Sequence, residues 1–348
     1  MEPLASLINL VELSLVNNEI VYVEPLVSLT KLAVLDLDEN KIVDAKPLSV
    51  LTGLTELRLS KNIKLDVESL SSLNSLTSLN LNQNQIRDVR PLALLTNLTE
   101  LFLVENQIVN VKPLSSLTGL TTLDLSENNI IDVTSLESLS NLTKLFLGDN
   151  QIVDVHVHAL SSLIWLTTLD LSNNQIEDVQ LLASLSNLEE LFLGGNQIVN
   201  VQALSSLTGL TTLNLSNNKI KDVKPLDSLI NLRKLFLAEN EISEVKPLAS
   251  LTNLTNLNLD KNHIVFVRPL VSLTGLTRLQ LKDNPIYDFS PVTAMTCSLD
   301  ADRTKQCKEC EAVHRGKRTT LTLRYSQIVD LRPLSSFIPL TKLVLDGN

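Results

Sequence analysis

Residues 120–150, LTTLDLSENNIIDVTSLESLSNLTKLFLGDN, decide the fold. Leu123 and Leu125 alternate with Thr122, Asp124 and Ser126, the two-residue period of a strand with one buried face. Asn128 follows where the chain must turn, and its side-chain amide can satisfy backbone groups there. Ile130 and Val133 then lead back to the core. The segment after them, P-L-x-x-L in copies such as Pro113-Leu114 and Pro225-Leu226, reads as a short 3-10 or helical turn opened by proline. At Asn150 the pattern of Asn128 has returned.

Working outward, the same Asn recurs with the same spacing at Asn18, Asn40, Asn62, Asn84 and Asn106 before this stretch. After one step longer by two positions, from Asn150 to Asn174, it continues regularly through Asn196, Asn218, Asn240, Asn262 and Asn284. A wide gap then leads to Ser326 in the Asn position, and one more regular step reaches Asn348. The consensus is L-T-x-L-T-x-L-x-L-x-x-N-x-I-x-x-V-x-P-L-x-S. One such coil cannot bury its leucines, but stacked coils make a continuous aliphatic core. The stretches 1–296 and 319–348 carry the repeat, and 297–318 is set apart as a Cys- and His-containing insertion. The chain stops in mid-coil at Asn348 and starts with no evident cap, so the expectation is a fragment or an incomplete open reading frame.

Composition narrows the function. A net charge of −10 argues against a nucleic-acid binder, whose affinity rests on clustered Lys and Arg. No apolar run is long enough to span a bilayer, and the start MEPLASLINL has neither a basic nor an apolar leader region. Three cysteines in 348 residues exclude a disulfide-built scaffold. There is no Gly-rich phosphate loop, H-E-x-x-H pair or G-x-S-x-G elbow, and no nucleophile set beside a base, so the expectation is a non-enzymatic protein without cofactor. Aromatic residues make up only 3% of a chain that is 44% apolar, because identical coils stack on Leu, Ile and Val and leave no need for rings inside.

The segments LTNLTELFLVENQIVNVKPLSSL (95–117) and LTGLTTLNLSNNKIKDVKPLDSL (207–229) resemble leucine-rich repeats of the 22-residue class, which includes the bacterial internalins and the leucine-rich regulatory subunit of protein phosphatase-1. The N-Q-I-x-D-V-x-P-L wording is closer to the internalin-like microbial proteins. The resemblance covers 4–296 and 319–348 and implies an α/β solenoid with a parallel β-sheet on its concave face and short 3-10, helical or extended segments on its convex face. It also implies a secreted or surface protein that engages proteins of another cell, whereas a native start at Met1 favours a cytoplasmic one. The alternative is an intracellular regulatory or scaffold subunit that binds an enzyme such as a phosphatase. A structural spacer is a third reading.

Repeated leucines explain stability, so function is sought where the copies differ. The outward residue at the centre of each strand runs Ser14, Asp36, Arg58, Asn80, Phe102, Asp124, Phe146, Asp170, Phe192, Asn214, Phe236, Asn258 and Gln280 in the first thirteen copies. Four of the seven phenylalanines fall in this column, in alternate coils, about 10 Å apart at ordinary strand spacing. Val104, Gly148, Gly194 and Ala238 stand two residues on, small neighbours expected to leave the rings accessible. Phe102, Phe146, Phe192 and Phe236 are therefore the expected anchors of a protein-binding face, with Asp124, Asp170, Glu100, Glu190, Lys144 and Lys234 around them. Duplication of a two-coil unit accounts for the origin of the alternation, and strand propensity alone also favours Phe there. The columns six, four, two and one residues before each repeat Asn hold sixteen acids and nine bases, which would steer a partner with a basic contact surface to a monomeric chain.

Two irregular places remain. The longer step inserts His156 and Val157, where His156 and His158 form half of a metal site at most and Trp165 is expected to pack over the bulge. The second is the set Cys297, Cys307, Cys310 and His314, spaced C-x9-C-x2-C-x3-H. Three thiolates and an imidazole can complete a tetrahedral zinc site. A disulfide from Cys297 to Cys307 or Cys310, and three reduced thiols, are the readings set ahead of zinc, so no metal is expected.

Overall fold

The computed structural model describes residues 2–62, 65–154 and 158–286, and beyond them the strands Ser298–Asp300, Thr320–Arg324 and Lys342–Asp346. The chain divides into two units, Met1–Gln175 and Ile176–Asn348. In the first unit, eight three-residue strands run from Glu12–Ser14 to Thr168–Asp170, each parallel to the next. Leu101 pairs with Leu123, one period away, and Leu145 with Leu169 across the longer step. In the second unit, five strands from Glu190–Phe192 to Arg278–Gln280 pair in the same way. Ser298–Asp300, inside the stretch set apart as an insertion, is a strand parallel to Arg278–Gln280. Thr320–Arg324 and Lys342–Asp346 pair in parallel at the offset of one regular period, Thr320 opposite Lys342. Ser326 and Asn348 lie outside the described residues.

Parallel strands need a crossover, and the described coils from Glu2 to Gln280 supply it with a 3-10 segment of about one turn. Proline opens Lys46–Val50, Arg90–Leu94, Lys112–Ser116 and Lys224–Ser228, as the sequence predicts. Thr134–Ser138 and Gln202–Ser206 form without proline, because a second device is present. Asp132 Oδ1 accepts from Thr134 N at 2.8 Å and Asn200 Oδ1 from Gln202 N at 2.8 Å. Asp44, Asp88 and Asp222 hold the start of their turns likewise. These side chains satisfy amides that a short helical turn leaves without a partner.

The core is the predicted one. Leu123, Leu125, Ile130, Val133 and Leu136 in the first unit, and Leu213, Leu215, Ile220, Val223 and Leu226 in the second, are fully buried. At the start of the stack, Leu10, Leu13 and Leu15 are only half-buried, and Leu7, Ile8 and Val11 are exposed.

The Asn column is a ladder. Asn128 Nδ2 reaches Leu103 O at 2.9 Å in the preceding coil and Leu125 O and Ser126 O at 3.1 Å in its own. Its Oδ1 accepts from Ile108 N at 3.0 Å. Asn218 repeats the set with Leu193, Leu215, Ser216 and Ile198. The residue before each of these Asn residues has a left-handed φ, 56° at Glu127 and 71° at Gly195. Among the described residues of this column only Gly195 is a glycine. Elsewhere the hydrogen bonds on either side hold an L-residue in a region it seldom adopts.

Two further columns tie coil to coil. Thr121 Oγ1 donates to Thr99 O at 3.0 Å, and Thr255 Oγ1 to Arg233 O at 3.1 Å. On the 3-10 side, Ser138 Oγ donates to Ser115 O at 2.9 Å and Ser228 Oγ to Ser205 O at 2.9 Å. The Thr and Ser of the consensus thus carry hydrogen bonds that leucine stacking alone does not explain.

Candidate protein-binding face

The outward side of the strands carries the residues singled out from sequence. In the first unit, register places Phe102 between Asn80 and Asp124, and Phe146 between Asp124 and Asp170. In the second, Phe192 lies beside Asn214, and Phe236 between Asn214 and Asn258. Each ring is half-buried, while the strand leucines on both sides of it are buried. The rings therefore present part of their surface and do not project freely.

The neighbours explain this. Asp124 Oδ1 accepts from Ser126 N at 3.0 Å, and Asp170 Oδ1 from Ser172 N at 2.8 Å. Asn214 and Asn258 make the same bond to Ser216 N and Asp260 N. These side chains fold back along their own strand exits, and Asp170 and Asn214 lie over the glycine of the preceding coil. A Cβ on Gly148 would meet the Asp170 carboxylate at 3.4 Å, and one on Gly194 would meet Asn214 Nδ2 at 3.1 Å. The small residue beside Phe146 and Phe192 thus makes room for the next coil's Asp or Asn, a reason distinct from baring the ring. Burial, with the Asp170 charge adding to it, holds the Asp124 carboxyl above its ordinary range, although the bonds from Ser126 pull it down.

Glu100, Lys144 and Lys234 are exposed and Glu190 is half-buried. Glu100 Oε2 accepts from Ser78 Oγ at 3.2 Å. Glu56, Arg58, Asn80, Asn82, Glu100 and Phe102 line a shallow depression of about 370 Å³ in the first unit. Arg58 there is held by Glu56 at 2.6 Å and Asp36 at 3.7 Å.

Charge is unequally shared between the units. Over the columns six, four, two and one before the ladder Asn, the first unit holds eleven acids and three bases, a net −8. The same columns from Glu190 to Asp283 in the second unit hold four of each. Averaging over the whole chain hides this difference.

Among the described residues the most exposed aromatic side chains are elsewhere. Tyr22 is 73%, Phe266 72% and Trp165 59% exposed. Tyr22 and Phe266 occupy the position that holds the capping Asp or Asn in most other coils, so a comparison of that column would have found them. The exposure of Trp165 corrects the expectation that it packs over the bulge: its ring lies largely in solvent. Within the bulge, His156 and Val157 lie outside the described residues, and His158 is exposed. Cys297, Cys307, Cys310 and His314 also lie outside them. Among the described residues no group of three or more His, Cys, Asp or Glu side chains is placed to hold a metal ion, and no helix is long and apolar enough to cross a membrane.

Coils of this period, with an Asn ladder and one parallel strand each, define a class, the leucine-rich repeat proteins. The family pattern of paired leucine-rich repeats matches residues 96–141, 186–228 and 230–270, and a second leucine-rich repeat pattern matches 140–198. The internalin InlF of Listeria monocytogenes is 28% identical, with 97% of this chain and 88% of that one covered and a TM-score of 0.72. Internalin C2 of the same organism is 38% identical over 54% of this chain and 83% of its own, with a TM-score of 0.53. The ectodomain of the Arabidopsis thaliana receptor kinase GASSHO1, solved in complex with Casparian strip integrity factor 2, shares the fold at 23% identity and a TM-score of 0.72, covering 99% of this chain and 45% of that one. No curated protein sequence matches the chain. The chain belongs to the leucine-rich repeat family and is internalin-like within it. Its relatives by fold are typically non-enzymatic protein-interaction modules, which supports a binding role.

Proposed function

We propose that this chain binds a partner protein on the outward face of its strands, with Phe102 and Phe146 as anchors in the first unit and Phe192 and Phe236 in the second. The observation that carries this reading is the position of the rings. Each stands half-buried on the face opposite the leucine core, outside the stacked leucine columns, and retains area for a partner to cover. Glu100, Glu190, Lys144 and Lys234 stand in the strand column two residues before the rings and supply a polar rim, while Asp124 and Asp170 fix the strand exits between them. The Arabidopsis ectodomain in complex with its integrity factor is a leucine-rich repeat array that holds a protein ligand, which supports this use of the fold. The internalin resemblance favours a microbial surface or secreted setting.

The test replaces Phe102, Phe146, Phe192 and Phe236 with Ser. Far-UV circular dichroism and the melting temperature should stay close to those of the parent, because none of the rings belongs to the buried core. Capture of the main partner from a cell-surface preparation should be lost. Unchanged capture by the folded variant would remove the assignment.

A further inference from the structure

The two units present the same scaffold with different charge, and this difference identifies the chemistry of one partner surface. In the first unit, Arg58 is engaged by Glu56 and Asp36, and Lys61 by Glu39 at 2.6 Å. Lys144 is the remaining cation in the four counted columns. Around Phe102 and Phe146 the carboxylates of Glu100, Glu105, Glu127 and Asp149 are exposed, and no ion pair among the described residues reaches them. Three of them are positioned by neutral donors. Ser78 Oγ donates to Glu100, Gln83 Nε2 to Glu105, and Asn173 Nδ2 to Asp149 at 3.0 Å. A carboxylate held by a hydroxyl or an amide keeps its full charge toward solvent, whereas one paired with lysine does not. The second unit uses the latter arrangement at the equivalent turn, where Lys261 lies 2.6 Å from Glu239.

We infer that the outward face of the first unit, from Glu100 to Asp170, docks an arginine- and lysine-bearing segment of a partner protein, and that the second unit's face lacks this preference. The inference rests on the docking reading above and specifies its chemistry. Guanidinium groups suit both features of the surface. They make charge-assisted hydrogen bonds to carboxylates and stack on the exposed part of the half-buried Phe rings. The uncompensated negative field also raises the encounter rate with a basic segment, an effect that salt weakens. Charge complementarity thus selects a basic protein segment for this face.

The test uses the full chain and a fluorescein-labelled arginine–serine repeat peptide, with a glutamate–serine repeat as control, read by fluorescence anisotropy. Two variants change the net charge equally. One carries Glu100→Gln, Glu105→Gln and Glu127→Gln on the face. The other carries Glu24→Gln, Glu68→Gln and Glu137→Gln, all exposed and in the 3-10 segments. The parent should bind the arginine peptide and not the glutamate one. The face variant should weaken binding by about tenfold, the sum of three modest exposed charge contacts, and the other variant by less than about twofold. Equal loss in both variants means attraction by net charge alone and overturns the proposal, as does an arginine peptide that the parent fails to bind. Phe102→Ser with Phe146→Ser separates this result from the reading beneath it. If that pair abolishes binding and the face variant does not, the rings hold the peptide without the carboxylates and only the charge preference falls. If the face variant abolishes binding and the pair does not, the charge preference stands and the anchors fall.

Discussion

The two units are built from the same coil and differ at the surface. Asn128 in one and Asn218 in the other bridge the same carbonyls at nearly the same distances, and the leucines around them are equally buried. Yet the strand face is net −8 in the first unit and neutral from Glu190 to Asp283 in the second. The comparison teaches that positions contributing to stacking are held constant by geometry, since each must meet its own copy one coil away. Positions facing outward meet no such copy in the core and are free to diverge. Differences between the units are therefore the place to look for function, and agreements are the place to look for stability.

The hardest challenge to this division is to break each core separately. Leu125→Asp and Leu215→Asp put a carboxylate at equivalent, fully buried positions, and each should destabilise its coils by more than about 4 kcal/mol. Because a coil contacts mainly its neighbours, unfolding should stay within the unit that carries the substitution. Limited proteolysis followed by mass spectrometry would show new cuts confined to Met1–Gln175 in the first variant and to Ile176–Asn348 in the second. Cuts throughout the chain in both variants would show one cooperative array instead.

A smaller effect tests whether the constant positions are equivalent. Asn128→Ala and Asn218→Ala each remove an acceptor for a buried amide and a donor to three carbonyls. Each should cost about 2 to 3 kcal/mol, and the two losses should agree within about 1 kcal/mol. Thermal melts of the two variants would check this. A much smaller loss in one unit would mean that its ladder is redundant with the Thr and Ser columns.

Much of the fold was legible because a repeat reports the same environment many times over. The alternation around Leu123 and the regular return of Asn from coil to coil give strand, turn and period without reference to any distant contact. The capping role of Asp132 and Asn200 was not legible from one coil. A polar residue before such a turn looks like ordinary surface until its side-chain oxygen is seen on a backbone amide two residues on. The site was legible only as a column. Sequence places Phe146 beside Gly148, but the reason for that glycine is Asp170, one coil further along the chain, and only packing reveals it. Trp165 marks the same boundary, since a bulky residue at an irregular step invites a packing role that its solvent exposure denies.

The finest contrast between the units lies at one strand exit. Asp124 and Asn214 occupy the same column and accept the same bond, from Ser126 N and Ser216 N, each at 3.0 Å. The bond needs only an oxygen, so the charge on Asp124 is not required by the turn. Burial raises the Asp124 pKa above its ordinary 3.8, so the folded chain binds that proton more readily than the unfolded chain does. Ionisation at neutral pH therefore opposes folding. The associated stability is present in full below 3.8 and is lost as pH rises through the raised value. Asp124→Asn, which copies the second unit, should melt at a higher temperature than the parent at neutral pH, and the difference should vanish below pH 3.8. Asn214→Asp should do the reverse in the second unit. Melting curves recorded across that range decide the matter. A difference that persists unchanged into acid would mean that the amide stabilises the turn by its extra hydrogen bonds, and that the carboxylate carries no electrostatic penalty there.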